Sequence, residues 1–298
     1  MRVAVVGGGV IGLSCALRLA RAGHDVTVVT ADEPEHTTSA VAGGLIFPPR
    51  GTEPFAVCAK WTRDTVAELA RSGASGVRFL PGRLMLPSRS ADPGWASTLG
   101  GTTWEGDTLT FTAALVDTPV YLRWLAGEVV AAGVRTEYRR VQNLTDLAAD
   151  VIVNAAGLGG GVLAGDDTVS PVGGQVVHFA DPGLTEWIVD DRSPATTYAI
   201  PHGGHVVCGG TKEPGRRTLE PDPDVVQDII ERVRRLVPAL AGARVLDVKV
   251  GLRPHRPEVR LERVGAVVHC YGHGGAGITL SWGCADEVAR LITDPFVA

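Results

Sequence analysis

Residues 2–12, R-V-A-V-V-G-G-G-V-I-G, pass from a β-branched run into glycines at positions 7, 9 and 12. The run Val3 to Val6 predicts a buried parallel strand, and L-S-C-A-L-R-L-A at 13–20 predicts the helix that follows it. The turn between them is Gly-X-Gly-X-X-Gly: Gly7 permits a tight turn, Gly9 lets a pyrophosphate approach the backbone, and Gly12 lets helix pack on strand. The amides of Val10 and Ile11 would then face outward at a helix N-terminus, where anions are stabilised. A second strand is expected over Asp25–Thr30, and Asp32 follows about 20 residues past the last glycine, where a carboxylate binds a ribose hydroxyl in such folds. A secretory leader is the poorer reading, because glycines interrupt the apolar run and no small-residue cleavage site follows. A βαβ unit without a ligand is the other competitor.

A chain of 298 residues accommodates one large domain or two modest ones, and 45% hydrophobic with 20% charged residues is ordinary for a globular protein. A formal net charge of -5 argues against a nucleic-acid partner. No apolar run has membrane-spanning length. The 5 cysteines (15, 58, 208, 270, 284) show no C-x-x-C spacing, so neither a disulfide framework nor a metal site is expected. A reducing cytoplasm fits this usage, and the closing D-P-F-V-A (294–298) does not spell the S-K-L peroxisomal address.

Beyond Asp32 comes a loop rich in hydroxyls and small residues. Thr37, Thr38 and Ser39 either cap a short helix, the better reading, or bind phosphate oxygens; Gly43 and Gly44 let backbone lie against a flat ring. Residues 53–72 predict a helix with Val57, Trp61, Val66, Leu69 and Ala70 near one face. Short strands are expected over 77–80 and 83–86, separated by a Pro-Gly turn, and this change of style marks entry into a second domain. A helix over 119–132 and a strand over 134–138 follow. The strand D-V-I-V-N-A-A-G (150–157), running into further glycines, suggests a return to the nucleotide domain, with a plain turn as the alternative.

Residues 171–211 carry the best β signals: Q-V-V-H-F at 175–179, T-Y-A-I at 197–200, and a Pro201-His-Gly-Gly turn into His205. His202 and His205 read as turn and strand residues, since no third metal ligand has suitable spacing. Residues 224–237 form an amphipathic scaffold helix exposing Asp228, Glu231, Arg234 and Arg235. Arg253, Arg256 and Arg260 then surround two prolines; a guanidinium just past an apolar strand suits bidentate capture of a carboxylate, with surface ion pairing as the alternative. A strand over 266–270, the loop Y-G-H-G-G-A-G (271–277) and a helix over 278–292 put a third glycine-rich loop at a helix N-terminus, whose positive end favours negative charge on a ring system.

Four motifs make the chain resemble the D-amino-acid oxidases, FAD-dependent flavoproteins: V-V-G-G-G-V-I-G-L-S (5–14) with Asp32, D-V-I-V-N-A-A-G (150–157), G-L-R-P-H-R-P-E-V-R-L-E (251–262), and V-V-H-C-Y-G-H-G-G-A-G-I-T-L-S-W-G-C-A (267–285). The last two are specific to this family within the two-domain amine-oxidising flavoenzymes, and the resemblance covers nearly the whole chain. It implies an α/β, two-domain flavoprotein: a Rossmann-like FAD-binding domain assembled from 1–72, 134–170 and 260–298, and a mixed-sheet substrate-binding domain from 73–133 and 171–259. FAD would contact Gly7, Gly9, Val10, Ile11, Gly12, Asp32, Thr38, Ser39, Gly44, Leu45, Val141, Gly274, Gly277, Ile278 and Thr279. Arg253 resembles the arginine that clamps the substrate carboxylate, Tyr198 the tyrosine that assists it, and Gly275 the residue whose carbonyl accepts the substrate amine; Leu45 and Ile200 would wall the side-chain pocket. The implied reaction is hydride transfer from the substrate Cα to the flavin without a general base. Oxygen then reoxidises the flavin to give hydrogen peroxide, and the imino acid hydrolyses to a 2-oxo acid and ammonia.

Three residues depart from the family pattern: Glu33, where many members carry a basic residue; Cys270, where Asn, His or Ala usually precedes Tyr-Gly; and Pro194, where eukaryotic members carry a tyrosine on a mobile lid. A short or absent lid is expected. Neutral D-amino acids and molecular oxygen are the expected small-molecule partners, with D-aspartate or glycine oxidation as the alternative; D-aspartate would need a second cation, for which His202 and Arg256 are the candidates. An NAD-dependent dehydrogenase fits the N-terminal fingerprint alone, and a non-catalytic flavin-binding subunit is the remaining class. Side-chain preference and oligomeric state are not legible.

Overall fold

The computed structural model describes residues 1–47, 54–89 and 101–293. Strand β1 (Arg2–Val6) turns through the glycines into α1 (Val10–Arg21), and β2 (Asp25–Thr30) follows. Next come β3 (Leu45–Ile46), α2 (Phe55–Ser72), β4 (Val77–Met85), β5 (Thr103–Glu105), β6 (Thr108–Val116), α3 (Thr118–Ala131) and β7 (Arg135–Tyr138). β8 (Val151–Asn154) leads into α4 (Leu158–Ala164), then β9 (Ser170–Ala180), β10 (Trp187–Asp190), β11 (Thr197–Pro201), β12 (His205–Gly209) and β13 (Glu213–Pro214). α5 (Pro223–Leu236), β14 (Val245–Val264), β15 (Val267–His273) and α6 (Gly277–Thr293) end the described chain.

These strands join one 15-stranded sheet, β3-β6-β4-β10-β11-β12-β9-β14-β15-β8-β1-β2-β7, with β13 against β9 and β5 against β6. The run β15-β8-β1-β2-β7 is parallel throughout. At its centre Val3, Val5, Val26, Val28 and Val153 are buried in one cluster with Leu17, Leu19 and Leu280, which is why these strands read as uninterrupted apolar runs. The other end of the sheet is largely antiparallel.

The two ends meet in one strand. β14 pairs with β9 from Val245 to His255 and with β15 at His255, opposite His273, and again from Arg260 to Val264, with an irregularity between His255 and Arg260. The inferred 259/260 domain boundary falls inside this strand, and Arg253 lies within it, just before the hand-over, not past its end. The segment expected to be loop from Tyr271 is strand through His273, followed by a single short turn of helix, Gly274–Ala276.

Four further expectations are corrected. Pro81-Gly82 does not interrupt β4, because both residues pair with β6, and the absent Cβ of Gly82 makes room for Trp187: a β-carbon there would stand 2.2 Å from the indole Cδ2. β10 pairs with β4 only from Gly82 onward, so Pro81, which lacks an N–H, costs that side no ladder bond. The inward face of α2 is Cys58, Ala59, Trp61, Thr62, Thr65, Glu68 and Leu69, while Val57 and Ala70 are exposed. Its polar members have partners inside: Thr65 Oγ1 accepts from the amides of Trp282 (3.1 Å) and Gly283 (3.3 Å), and Glu68 accepts from Arg18 and Arg71. On α5, Arg234 is only partly exposed and lies over the Phe179 ring at 5.8 Å. Thr37 precedes a short helical turn, Thr38–Val41, without capping it, and its hydroxyl donates to Pro34 O instead. Residue 53 of the expected α2 lies outside the described residues.

Candidate active site

At the C-terminal ends of β1, β2 and β8 the glycine turn opens a cavity of about 820 Å³. Gly7 has φ +119°, and a β-carbon there would stand 2.4 Å from Ala155 O, so the turn accepts no side chain. A β-carbon on Gly12 would lie 1.9 Å from Gly7 O; this glycine seats α1 on the turn and does not line the cavity. Gly44, at φ +75°, passes as close to Val116 O. The Val10 amide, expected to face outward, donates to Ser39 Oγ at 3.1 Å, which ties the hydroxyl loop to the helix N-terminus. Such a cradle of glycines, amides and a hydroxyl suits a diphosphate.

Every residue singled out as a cofactor contact, apart from Gly12, lines this one cavity: Gly7, Gly9, Val10, Ile11, Asp32, Thr38, Ser39, Gly44, Leu45, Val141, Gly274, Gly277, Ile278 and Thr279. Asp32 is exposed at the same end as Val141, and two cations that sequence reasoning missed, Arg139 and Arg140, line it too. Their position directly after β7 was the available signal. Glu33 is turned aside: its Oε2 accepts from Tyr138 OH at 2.7 Å, a bond that raises the phenol to about 12.

A second cavity, of about 870 Å³, adjoins the first. Thr196, Tyr198, Arg253, His273, Gly274 and Gly275 line both, so the three residues expected to handle substrate, Arg253, Tyr198 and Gly275, stand together at the junction. Arg253 Nη1 donates to the carbonyls of Gly173 (3.1 Å) and Thr211 (2.9 Å), which aims the side chain while leaving donors of the fork for a ligand. Gly275 lies beside it: a β-carbon there would be 3.5 Å from Arg253 Cδ. Burial raises the Tyr198 phenol, and the charge of Arg253 partly opposes this, so the hydroxyl stays protonated at neutral pH. On the first cavity's side, Leu45, Phe47, Val189 and Ile200 form an apolar wall.

His273 was not singled out by the sequence; burial pushes its imidazole down to about 4, so it is neutral. Arg256 and Arg260 are committed elsewhere. Arg256 Nε (3.1 Å) and Tyr271 OH (2.9 Å) donate to Asp166 Oδ2, and Arg260 Nη1 donates to Tyr271 OH at 2.7 Å. Hydrogen bonds from the Thr168 hydroxyl, then from Tyr271 and Arg256, outweigh desolvation and hold the Asp166 carboxyl well below its usual range. His202 Nε2–H donates to Gly43 O at 3.0 Å, and burial lowers this imidazole to about 4.

A family model described as DAO, FAD dependent oxidoreductase, matches residues 2–291. The chain is 44% identical to a D-amino-acid oxidase of Streptomyces coelicolor, over 97% of this chain and 96% of that protein. It is 35% identical to human D-aspartate oxidase, over 98% and 95%. Among solved structures, a glycine oxidase from Geobacillus kaustophilus superposes with a TM-score of 0.85 at 22% identity, covering 98% of this chain and 95% of that one. No helix among the described residues is long and apolar enough to cross a membrane.

Proposed function

The chain belongs to the DAO family of FAD-dependent oxidoreductases, and from that membership we propose that it is an oxidase of neutral, apolar D-amino acids, releasing a 2-oxo acid, ammonia and hydrogen peroxide. The observation that carries this reading is the junction at which Arg253, Tyr198 and Gly275 adjoin both cavities. When bound, FAD supplies the hydride acceptor and its reoxidation by oxygen. Everything else required of the protein is orientation and charge.

In this reading the discontinuous segments 1–72, 134–170 and 260–298 hold the cofactor, with the glycine cradle at the diphosphate and Asp32 at a ribose. Segments 73–133 and 171–259 hold the substrate. Arg253 binds the carboxylate with the part of its fork not spent on Gly173 and Thr211. Tyr198, kept protonated, donates to the same carboxylate. The Gly275 carbonyl accepts from the amine. With carboxylate and amine so fixed, the side chain points to Leu45, Phe47, Val189 and Ile200, and only the D-enantiomer turns its Cα hydrogen toward the cofactor. Of the side chains shared by both cavities, the Tyr198 phenol stays protonated and the His273 imidazole, lowered to about 4 by burial, is a poor proton acceptor, which supports transfer of hydride without a general base. The location we propose is cytoplasmic.

The D-aspartate alternative is less well supported, because neither candidate cation is available: His202 is neutral and bonded to Gly43, and Arg256 is paired with Asp166. A peroxide-coupled assay over a panel of D- and L-amino acids and glycine tests the proposal. Turnover of apolar D-amino acids and none of the L-forms is expected. Equal rates on both enantiomers would end this reading, and a strong preference for D-aspartate would promote the alternative.

A further inference from the structure

Directly behind the junction, three side chains that the oxidase chemistry does not use converge. Cys270 and His273 come from β15 and Cys284 from α6, and their ligand atoms all lie within 4.8 Å of one another. His273 Nε2 is 3.5 Å from Cys284 Sγ and 4.0 Å from Cys270 Sγ. Tetrahedral zinc, with bonds of about 2.3 Å to sulfur and about 2.0 Å to nitrogen, sets S···N separations of about 3.5 Å and S···S separations of about 3.8 Å. The two S···N separations therefore lie within about 0.5 Å of the metal's geometry, and the S···S separation, at most 4.8 Å, closes on it with a side-chain adjustment of about 1 Å or less, on elements held by the core.

The donor chemistry agrees. Two thiolates and a neutral imidazole form a soft set that excludes magnesium and calcium and suits zinc or cadmium. Two thiolates also cancel a divalent charge, so the filled site is neutral, as burial of Cys270 (0% exposed), His273 (5%) and Cys284 (0%) demands. A route in is present, because Cys270 and His273 line the cleft beside the glycine turn, whereas Cys284 does not.

We propose that Cys270, His273 and Cys284 form a binding site for one thiophilic divalent cation of the zinc class, reached through the cofactor cavity. Filling it ties β15 to α6 and releases the thiol protons to solvent.

The test counts metal and is independent of activity, so failure of the oxidase assignment would not affect it. Full-length protein, both flavin-loaded and flavin-free, is stripped with a chelator, incubated with Cd²⁺ or Zn²⁺, gel-filtered and analysed by atomic emission. One metal per chain is expected in at least one form, with a ¹¹³Cd resonance in the range of thiolate ligation. Cys284→Ser and Cys284→Ala should each lose that metal, whereas Cys208→Ala, altered in a separate part of the core, should keep it. Uptake by the wild-type protein no greater than by Cys284→Ser overturns the proposal. So does a ¹¹³Cd resonance typical of oxygen ligands in the wild-type protein, however the variants fold.

Discussion

The guanidinium of Arg253 lies so close to the backbone of Gly174 that a β-carbon at position 174 would stand 2.1 Å from Nη2. Gly174 and Gly251 are directly paired on β9 and β14, so the arginine folds back across its own strand pair to reach the junction. Its position is therefore specified by a missing side chain as well as by the carbonyls of Gly173 and Thr211.

Arg253→Leu is expected to lower kcat/KM by roughly two orders of magnitude or more. Truncating one side of a desolvated, charge-assisted pair costs on the order of 2 to 5 kcal/mol, at one decade per about 1.4 kcal/mol. Tyr198→Phe removes one hydrogen bond, about 0.5 to 1.5 kcal/mol and about 1.5 to 3 kcal/mol when the acceptor is charged, so a loss of roughly tenfold is expected. Arg253→Lys should recover only part of the loss, since an ammonium keeps the charge but not the fork. Steady-state kinetics on a good D-substrate checks all three, with the flavin spectrum as the control. Near wild-type kcat/KM in Arg253→Leu would remove Arg253 from the site.

Gly7→Ala and Gly12→Ala should give protein that is insoluble or colourless. The new β-carbons would meet Ala155 O at 2.4 Å and Gly7 O at 1.9 Å, backbone atoms that cannot rotate away. The wild-type protein should be yellow and release FAD on denaturation. Full flavin content in either variant would contradict the cradle described above.

Trp282 and Tyr121 are 1% and 0% exposed, and the indole N–H donates to the phenol oxygen at 2.8 Å. Tyr121→Phe leaves that donor buried without its partner, which should cost about 1 to 3 kcal/mol of stability. Urea unfolding measures this, and kcat/KM should stay within twofold because neither residue lines a cavity at the junction.

The imidazoles of His178, His205 and His202 form a ladder, with ring centroids 5.0 Å and 5.4 Å apart. Burial first, then the neighbouring charges, pushes His178 and His202 down to about 4. Lys249 reinforces this at His178 while Asp247 opposes it; at His202 the hydrogen bond to Gly43 and then Asp117 oppose burial, and His205 and Arg78 reinforce it. Between about 4 and the unperturbed value near 6.5 the unfolded chain binds more protons than the native one, so stability falls with falling pH in that window. A thermal-melting series from pH 7.5 to 4.5 should show this decline, and His178→Phe should flatten it. A wild-type Tm independent of pH over this range would refute the account.

The parts of this structure that were legible in the sequence are those whose constraints are local. Gly7 and Gly12 announce themselves because the turn that needs them is formed by their immediate neighbours. Gly82 was misread as a turn because its reason is the ring of Trp187, far along the chain. The inward Thr65 and Glu68 of α2 escaped for the same reason: hydrophobic periodicity assigns polar residues to solvent, whereas their partners are the amides of α6 and arginines of α1 and α2. Cys270, His273 and Cys284 follow no recognised metal spacing, and only the packing of α6 on β15 brings them together.

The connection between β10 and β11, residues 191–196, is short and pinned at its far end. Arg232 Nη1 donates to Thr196 O (3.2 Å) and Thr197 Oγ1 (2.7 Å), Arg232 is itself ion-paired to Asp228 at 2.8 Å, and the Thr196 hydroxyl donates to Asp191. Pro194, Ala195 and Thr196 line the outer cavity, where a closing lid would have to move. Lid opening limits turnover in many enzymes that have one. Here a six-residue link whose ends are bonded to each other and whose far end is pinned by Arg232 has little reach, so product should leave faster than substrate is oxidised or the flavin reoxidised. Adding a viscogen should therefore leave kcat unchanged, and a Cα-deuterated substrate should slow the reductive half-reaction in stopped-flow traces. A kcat that falls in proportion to relative viscosity would mean that product dissociation sets the rate and that residues 191–196 do act as a gate.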